Sequence, residues 1–252
     1  MDGSPAADAL TYLGAGLGDD AHVRQAVLAP ALADLQGMCA ALRDMSERYT
    51  HAAWILLQRS TTHKALHLAR VHRPSLLEPV AGDFAAAVTD AALHIIGVDG
   101  AEASDTSRAL LTRPLAKGGA GLVVLPAVLA PSYVAAAAAA VAYYADLDVT
   151  AMPQASRLAV REALAAPDTA YGAGLAAALA DLNTSAPGAP SVPADLAALI
   201  AAAPNIRQKA LYRAVSAPEQ AAMLDALAAP EKRHVGHSGS RWAYSAYIKL
   251  SG

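Results

Sequence analysis

An all-α, alanine-rich bundle of several helices with an irregular C-terminal tail is the fold this sequence predicts, on three observations. About a quarter of the 252 residues are alanine, far above ordinary usage and the best helix former. Apolar side chains recur at helical spacing over long runs, and prolines and glycines punctuate those runs. Hydrophobic residues make up 55% and charged residues 16% of the chain, with few aromatics. That is enough apolar material for a real core in one domain or two.

Taken in order, residues 1–20 read as a short flexible lead. Gly14, Gly16 and Gly18 alternate there, but the spacing is not that of a dinucleotide-binding loop and no βαβ pattern follows. Asp19 and Asp20 suit a helix N-terminus, where a carboxylate caps the first turn and opposes the dipole. Over 21–42 the positions Val23, Val27, Leu28, Ala31, Leu32, Leu35, Met38, Cys39 and Leu42 mark one helix, which Pro30 is expected to kink or split. Ser46 and Glu47 look like a new helix start, with Trp54, Ile55, Leu56 and Leu57 as a core anchor. Pro74 should end the following segment by holding Arg73 extended.

A helix over 79–97 follows, with Phe84, Val88, Ala91, Ile95 and Ile96 inward, then an acidic loop and a short helix ending at Leu111. The run RPLAKGGAGL has glycines but lacks the spacing and ending of a phosphate-binding loop, so a tight connection is expected. Residues 122–145 carry no charge for long enough to span a bilayer. Alanine is nearly neutral for insertion, however, and Pro126 and Pro131 interrupt the run, so the expectation is a buried helix over 127–146 and no membrane partner.

The rest divides into a helical extension over 151–184, a Pro-rich linker over 185–193 and a small helical segment over 194–252. Its last helix is expected to start at Ser216, Pro218 and Glu219. The tail ends on Trp242, Tyr244, Tyr247 and Ile248 as a truncated chain would. The segment 21–150 is then the main helical domain.

Charge is where function shows. The formal net charge is −3, yet residues 59–73 hold Arg59, Lys64, Arg70 and Arg73, with His63, His67 and His72, and no Asp or Glu. Such a segment points to a polyanion, because Lys and Arg on a helical face neutralise phosphates. A turn at Thr61–Thr62 would arrange these side chains as two short faces. The candidate nucleic-acid contacts are Arg59, His63, Lys64, His67, Arg70 and Arg73. The alternative is a positive face paired with the acidic loop at 99–105.

Catalytic patterns fare worse. His63 and His67 stand four apart, but Lys64 occupies the position where a zinc-protease helix has its Glu, so no metal is expected. GHSGS at 236–240 lacks the final glycine of a nucleophile elbow. YYADLD at 143–148 separates its two Asp residues by Leu147. Cys39 lies on an apolar helical face, as a buried structural thiol does. No cofactor is expected. The acidic start, MDGSPAAD, is not a signal peptide.

Four runs in order, YLGAGLGDDAHV, HAAWILLQRS with downstream LHLAR, FAAAVTDAALHIIG, and RPLAKGGAGL followed by LAPSYVAAA, carry a resemblance over roughly residues 10–145. They are similar to the thumb-like region downstream of the catalytic core in reverse transcriptases of non-LTR retrotransposons. Positions Leu13 to Gly18, Arg59, Leu68 to Arg70 and Gly118 to Leu122 match that pattern. Ala69, Ala85 and Ala120 depart from it. The resemblance implies a helical region that contacts template–primer nucleic acid, as RNA–DNA or DNA duplex, in the nucleus or cytoplasm. It also implies that the polymerase palm with its metal-binding carboxylates lies outside this sequence, so no polymerase activity is expected of it alone. A helical interaction protein with a protein partner is the other expectation.

Overall fold

The computed structural model describes residues 10–12, 15–17, 19–113, 119–145, scattered positions between 153 and 166, and 168–226. Helix dominates these residues, and the fold is all-α. The one sheet among them is a minimal hairpin in the N-terminal lead. Its strands, β1 (Leu10–Tyr12) and β2 (Ala15–Leu17), run antiparallel with Thr11 opposite Gly16.

The first helix begins where the sequence places it. Asp19 caps α1 (Asp20–Val23), its carboxylate accepting the His22 N–H at 2.8 Å. A π-turn, Arg24–Leu28, follows and leads into α2 (Ala29–Leu56), with Pro30 in the first turn. The helical run is continuous from Asp20 through the π-turn into α2, so Pro30 does not split it. The helix start expected at Ser46 is absent. Instead α2 runs on and kinks three residues later at Tyr49, whose φ of −135° and ψ of 54° are non-helical. Two local bonds flank the kink, Ser46 Oγ to Arg43 O at 2.6 Å and Thr50 Oγ1 to Ser46 O at 2.9 Å. Hydroxyls that bond back into the preceding turn tend to bend helices.

A second π-turn, Leu57–Thr61, joins α2 to α3 (Thr62–Val71). Pro74 does end that segment, and it also opens α4 (Pro74–Ile95), five residues earlier than expected, because proline is preorganised for a first helical turn. Ser104 caps α5 (Asp105–Thr112), accepting the Ser107 N–H at 3.1 Å. Then come α6 (Leu125–Ala145), α7 (Ala170–Ser185), α8 (Leu196–Ala202) and α9 (Gln208–Ala226). Pro218 lies inside α9, so the Ser216–Glu219 start is corrected: the helix begins eight residues earlier.

The chain divides into two compact units, one drawn from Met1–Leu66, Pro79–Pro126 and Gln220–Gly252, the other from His67–Glu78 and Ala127–Glu219. In the first unit most of the expected apolar positions are buried, Val23, Val27, Leu28, Leu35, Cys39 and Leu42 of the N-terminal helices and Phe84, Val88, Ala91 and Ile95 of α4, while Leu32, Met38 and Ile96 are half-buried. Burial pushes the Cys39 thiol up to about 11, so it stays protonated and inert. Residues 114–118 of the glycine-rich connection lie outside the described residues, and its described end, 119–122, returns to α5. Ala120 and Leu122 donate to the α5 carbonyls of Leu110 and Leu111, and Gly121 to Arg113 O, which satisfies a helix end. A Cβ on Gly119 would collide with the Arg113 backbone.

The second unit has its own core, built on Tyr133, Val134, Ala137 and Val141 of α6 with Leu175, Leu179 and Leu182 of α7. By length and mean hydropathy (1.7) α6 passes for a membrane span, but more than half of that stretch is buried. The Pro-rich stretch expected to be a linker belongs to this core: Ala186 and Val192 are buried in it. Asn183 Nδ2 fastens it, donating to Leu179 O and Pro193 O at 2.9 Å each. Small side chains let helix backbones approach. At Gly174 the Arg73 stem lies 3.4 Å and the Tyr133 hydroxyl 3.7 Å from where a Cβ would stand.

Candidate nucleic-acid interface

The basic segment begins on the helical run that leaves α2. Exposure recurs there every four residues: His51 and Ala52, Ile55 and Leu56, Arg59 and Ser60, His63 and Lys64 all face solvent. Between these pairs Ala53, Trp54, Leu57, Thr61, Thr62 and Ala65 are buried. A regular α-helix would rotate a four-residue repeat by about 40° at each step. The π-turn takes up the excess: the Thr62 N–H reaches back five residues to Leu57 O, so the basic side chains stay on the flank that carries Ile55 and Leu56.

The turn expected at Thr61–Thr62 is therefore replaced by continuous helix. Both threonines are buried, and Thr62 Oγ1 donates to Gln58 O at 2.9 Å. Gln58 in turn donates from Nε2 to Ala120 O at 2.9 Å, tying the π-turn to the glycine-rich connection. The cost is Thr61, whose Oγ1 is buried without a hydrogen-bond partner.

The six candidate residues divide by environment. Within the first unit Arg59 and His63 are exposed and have no side-chain partner among the described residues. Lys64 Nζ lies 3.3 Å from Asp34 Oδ2, but both side chains are at least half exposed, so the pair holds the ammonium only loosely.

Within the second unit His67 and Arg70 are exposed, but Arg70 is oriented. Its Nε and Nη2 donate to Gln208 Oε1 at 3.2 and 2.8 Å, and Gln208 Nε2 donates to Ser132 Oγ at 2.8 Å. A neutral amide acceptor fixes the guanidinium without cancelling its charge. Arg73 has a different environment. It is half-buried, its stem lying where a Cβ on Gly174 would point, and its charge opposes the rise that burial causes at the Tyr133 hydroxyl. Its stem packs there while the residue stays partly exposed. His72 is buried, and its imidazole is held below its ordinary value of 6.5 first by desolvation and then by His67.

Two features escaped the sequence reading. Ile55 and Leu56 were expected in the core, yet they are 43% and 44% exposed. Four consecutive apolar residues cannot all face inward on a helix, and helical spacing already separates this pair from Trp54 and Leu57. The other is Arg113, which is buried with Nε and Nη1 unpartnered. Nothing in its local pattern signals this.

The acidic loop does not neutralise the ridge among the described residues. Asp99 Oδ1 accepts from its own loop, at the Ala101 N–H, 2.8 Å away. Nor do three His, Cys, Asp or Glu side chains come together among the described residues in a way that would hold a metal ion. The YYADLD aspartates and the GHSGS run lie outside the described residues. Comparison with protein families, curated proteins and solved structures finds no match to the chain.

Proposed function

We propose that this chain is a helical module that binds duplex nucleic acid through phosphate contacts, with Arg59, His63 and Lys64 as its primary contacts and His67 and Arg70 as further ones. The observation that carries this reading is the exposed ridge of the first unit: Arg59 and His63 face solvent, Lys64 is held only loosely by Asp34, and across residues 51–73 there is no Asp or Glu. Such a surface contributes affinity by releasing counterions and reads no sequence. The resemblance to the thumb-like region of non-LTR reverse transcriptases supports the same reading, and in an intact polymerase the module would grip the template–primer duplex. Fluorescence anisotropy with a labelled RNA–DNA duplex tests it. The unaltered chain should bind at low salt and release the duplex steeply as salt rises, whereas no binding at low salt refutes the proposal.

A second reading is favoured by Ile55 and Leu56, which put apolar area on the same flank. On that reading the ridge docks an acidic, partly apolar protein segment. A complex that withstands nuclease and high salt, and that Ile55→Ser with Leu56→Ser disrupts, would distinguish it from phosphate binding.

A further inference from the structure

The first unit holds an open cavity of about 770 Å³, lined by Arg43 of α2, by Asp90 and His94 of α4, by the loop after α4 and by Arg108 of α5. That volume is in the range of small-molecule sites. The charges around it are unequally committed. Arg108 Nη2 donates to Gly100 O at 2.7 Å and its Nη1 lies 3.7 Å from Asp90 Oδ1. Asp99 caps its own loop through the Ala101 N–H. Both carboxylates that line the cavity thus have partners within the fold. Arg43 and His94 have no side-chain partner among the described residues, and they reach the cavity from two different helices. The loop edge is bare. Gly97 has a φ of +76°, and no atom lies within 4 Å of where its Cβ would stand.

The geometry points to a site for a phosphomonoester of nucleotide size, with the phosphate between Arg43 and His94 and the rest of the molecule along the Gly97–Ala101 loop. A terminal phosphate carries nearly two negative charges at neutral pH and presents three acceptor oxygens. Those oxygens suit a guanidinium fork and an imidazole N–H supplied by two different helices. The recess favours a terminal phosphate over a duplex, whose internal phosphates are presented on a convex surface. This site is separate in residues from the ridge proposed above and does not depend on it.

Isothermal titration of the purified full chain with AMP, inorganic phosphate, adenosine and succinate tests the assignment. AMP should bind, phosphate should compete with it, and adenosine and succinate should bind much more weakly. Arg43→Gln and His94→Gln should each weaken AMP binding by about tenfold. Both side chains are exposed, so the thermal midpoint should not move. Arg59→Ala should leave AMP affinity unchanged while weakening duplex binding. The assignment is overturned if the unaltered chain does not bind AMP, if adenosine or succinate binds as well as AMP, or if the Arg43→Gln/His94→Gln double variant binds AMP undiminished.

Discussion

The two ends of one basic segment behave differently. Arg59 and His63 stand in solvent without side-chain partners among the described residues, beside exposed Ile55 and Leu56. Arg70 is oriented by Gln208, and Arg73 lies half-buried beside Gly174. Similar side chains therefore serve two purposes, and their charge does not say which. What separates them is position in the helical repeat: a guanidinium at an exposed position is free to meet a ligand, and one at a helix-to-helix corner becomes packing material. Local charge density alone would have scored both ends alike.

That contrast can be broken by substitution, and the largest effect belongs to the buried side of the ridge. Trp54→Ala should cost about 3–5 kcal/mol, as large buried side chains do. The double change Ile55→Ser with Leu56→Ser should stay within about 1 kcal/mol, since surface changes usually lie within ±0.5 each. Urea denaturation of both proteins checks the pair. Next in size is Arg113→Met, which keeps the stem and removes buried, unpartnered guanidinium nitrogens. It should raise stability by about 1–3 kcal/mol, the cost of leaving a buried polar group unsatisfied. Thr61→Val removes one orphan hydroxyl at nearly constant shape and should gain about 1 kcal/mol by the same reasoning. A loss on Thr61→Val would mean that the hydroxyl has a role in setting the π-turn.

The buried histidine gives a pH-dependent comparison. His72 has its folded-state pKa lowered, by desolvation and then by His67. The unfolded chain takes up a proton near the ordinary value of 6.5, and the folded chain does so only at lower pH. The unfolded state therefore binds more protons in that window, and stability falls as pH drops below about 6.5. Urea midpoints measured at neutral and mildly acidic pH should diverge, and His72→Gln should narrow the difference. An unchanged pH dependence in that variant would assign the acid sensitivity to another group. Smallest of all, Arg59→Ala should leave the thermal midpoint in place, while Arg73→Ala should lower it through lost stem packing.

Much of this was readable beforehand where a single local rule decides. Helical content, the Asp19 cap, the inner face of α4 and the stop at Pro74 each follow from spacing or capping chemistry within a few residues. The failures have physical causes of another kind. Ser216, Pro218 and Glu219 form a good start signal, yet α9 is already under way by then and proline is accommodated inside it. The stretch at 185–193 reads as a linker by composition, but Ala186 and Val192 are held in a core by partners distant in sequence. The π-turn at Leu57–Thr61 leaves no compositional mark, and without it the exposed side of Arg59 and Lys64 could not be assigned. The cavity beside Arg43 and His94 was invisible because its lining comes from three helices and a loop.

The central claim is that the ridge at Arg59 and Lys64 is a solvent-facing phosphate site and not a structural element. Its most direct test is the slope of log K against log salt for RNA–DNA duplex binding, measured for the unaltered chain and for Arg59→Ala with Lys64→Ala. Each lost phosphate contact should flatten the slope by about one, so the double variant should lose about two with its thermal midpoint unchanged. An unchanged slope, or a variant that no longer folds, would contradict the account.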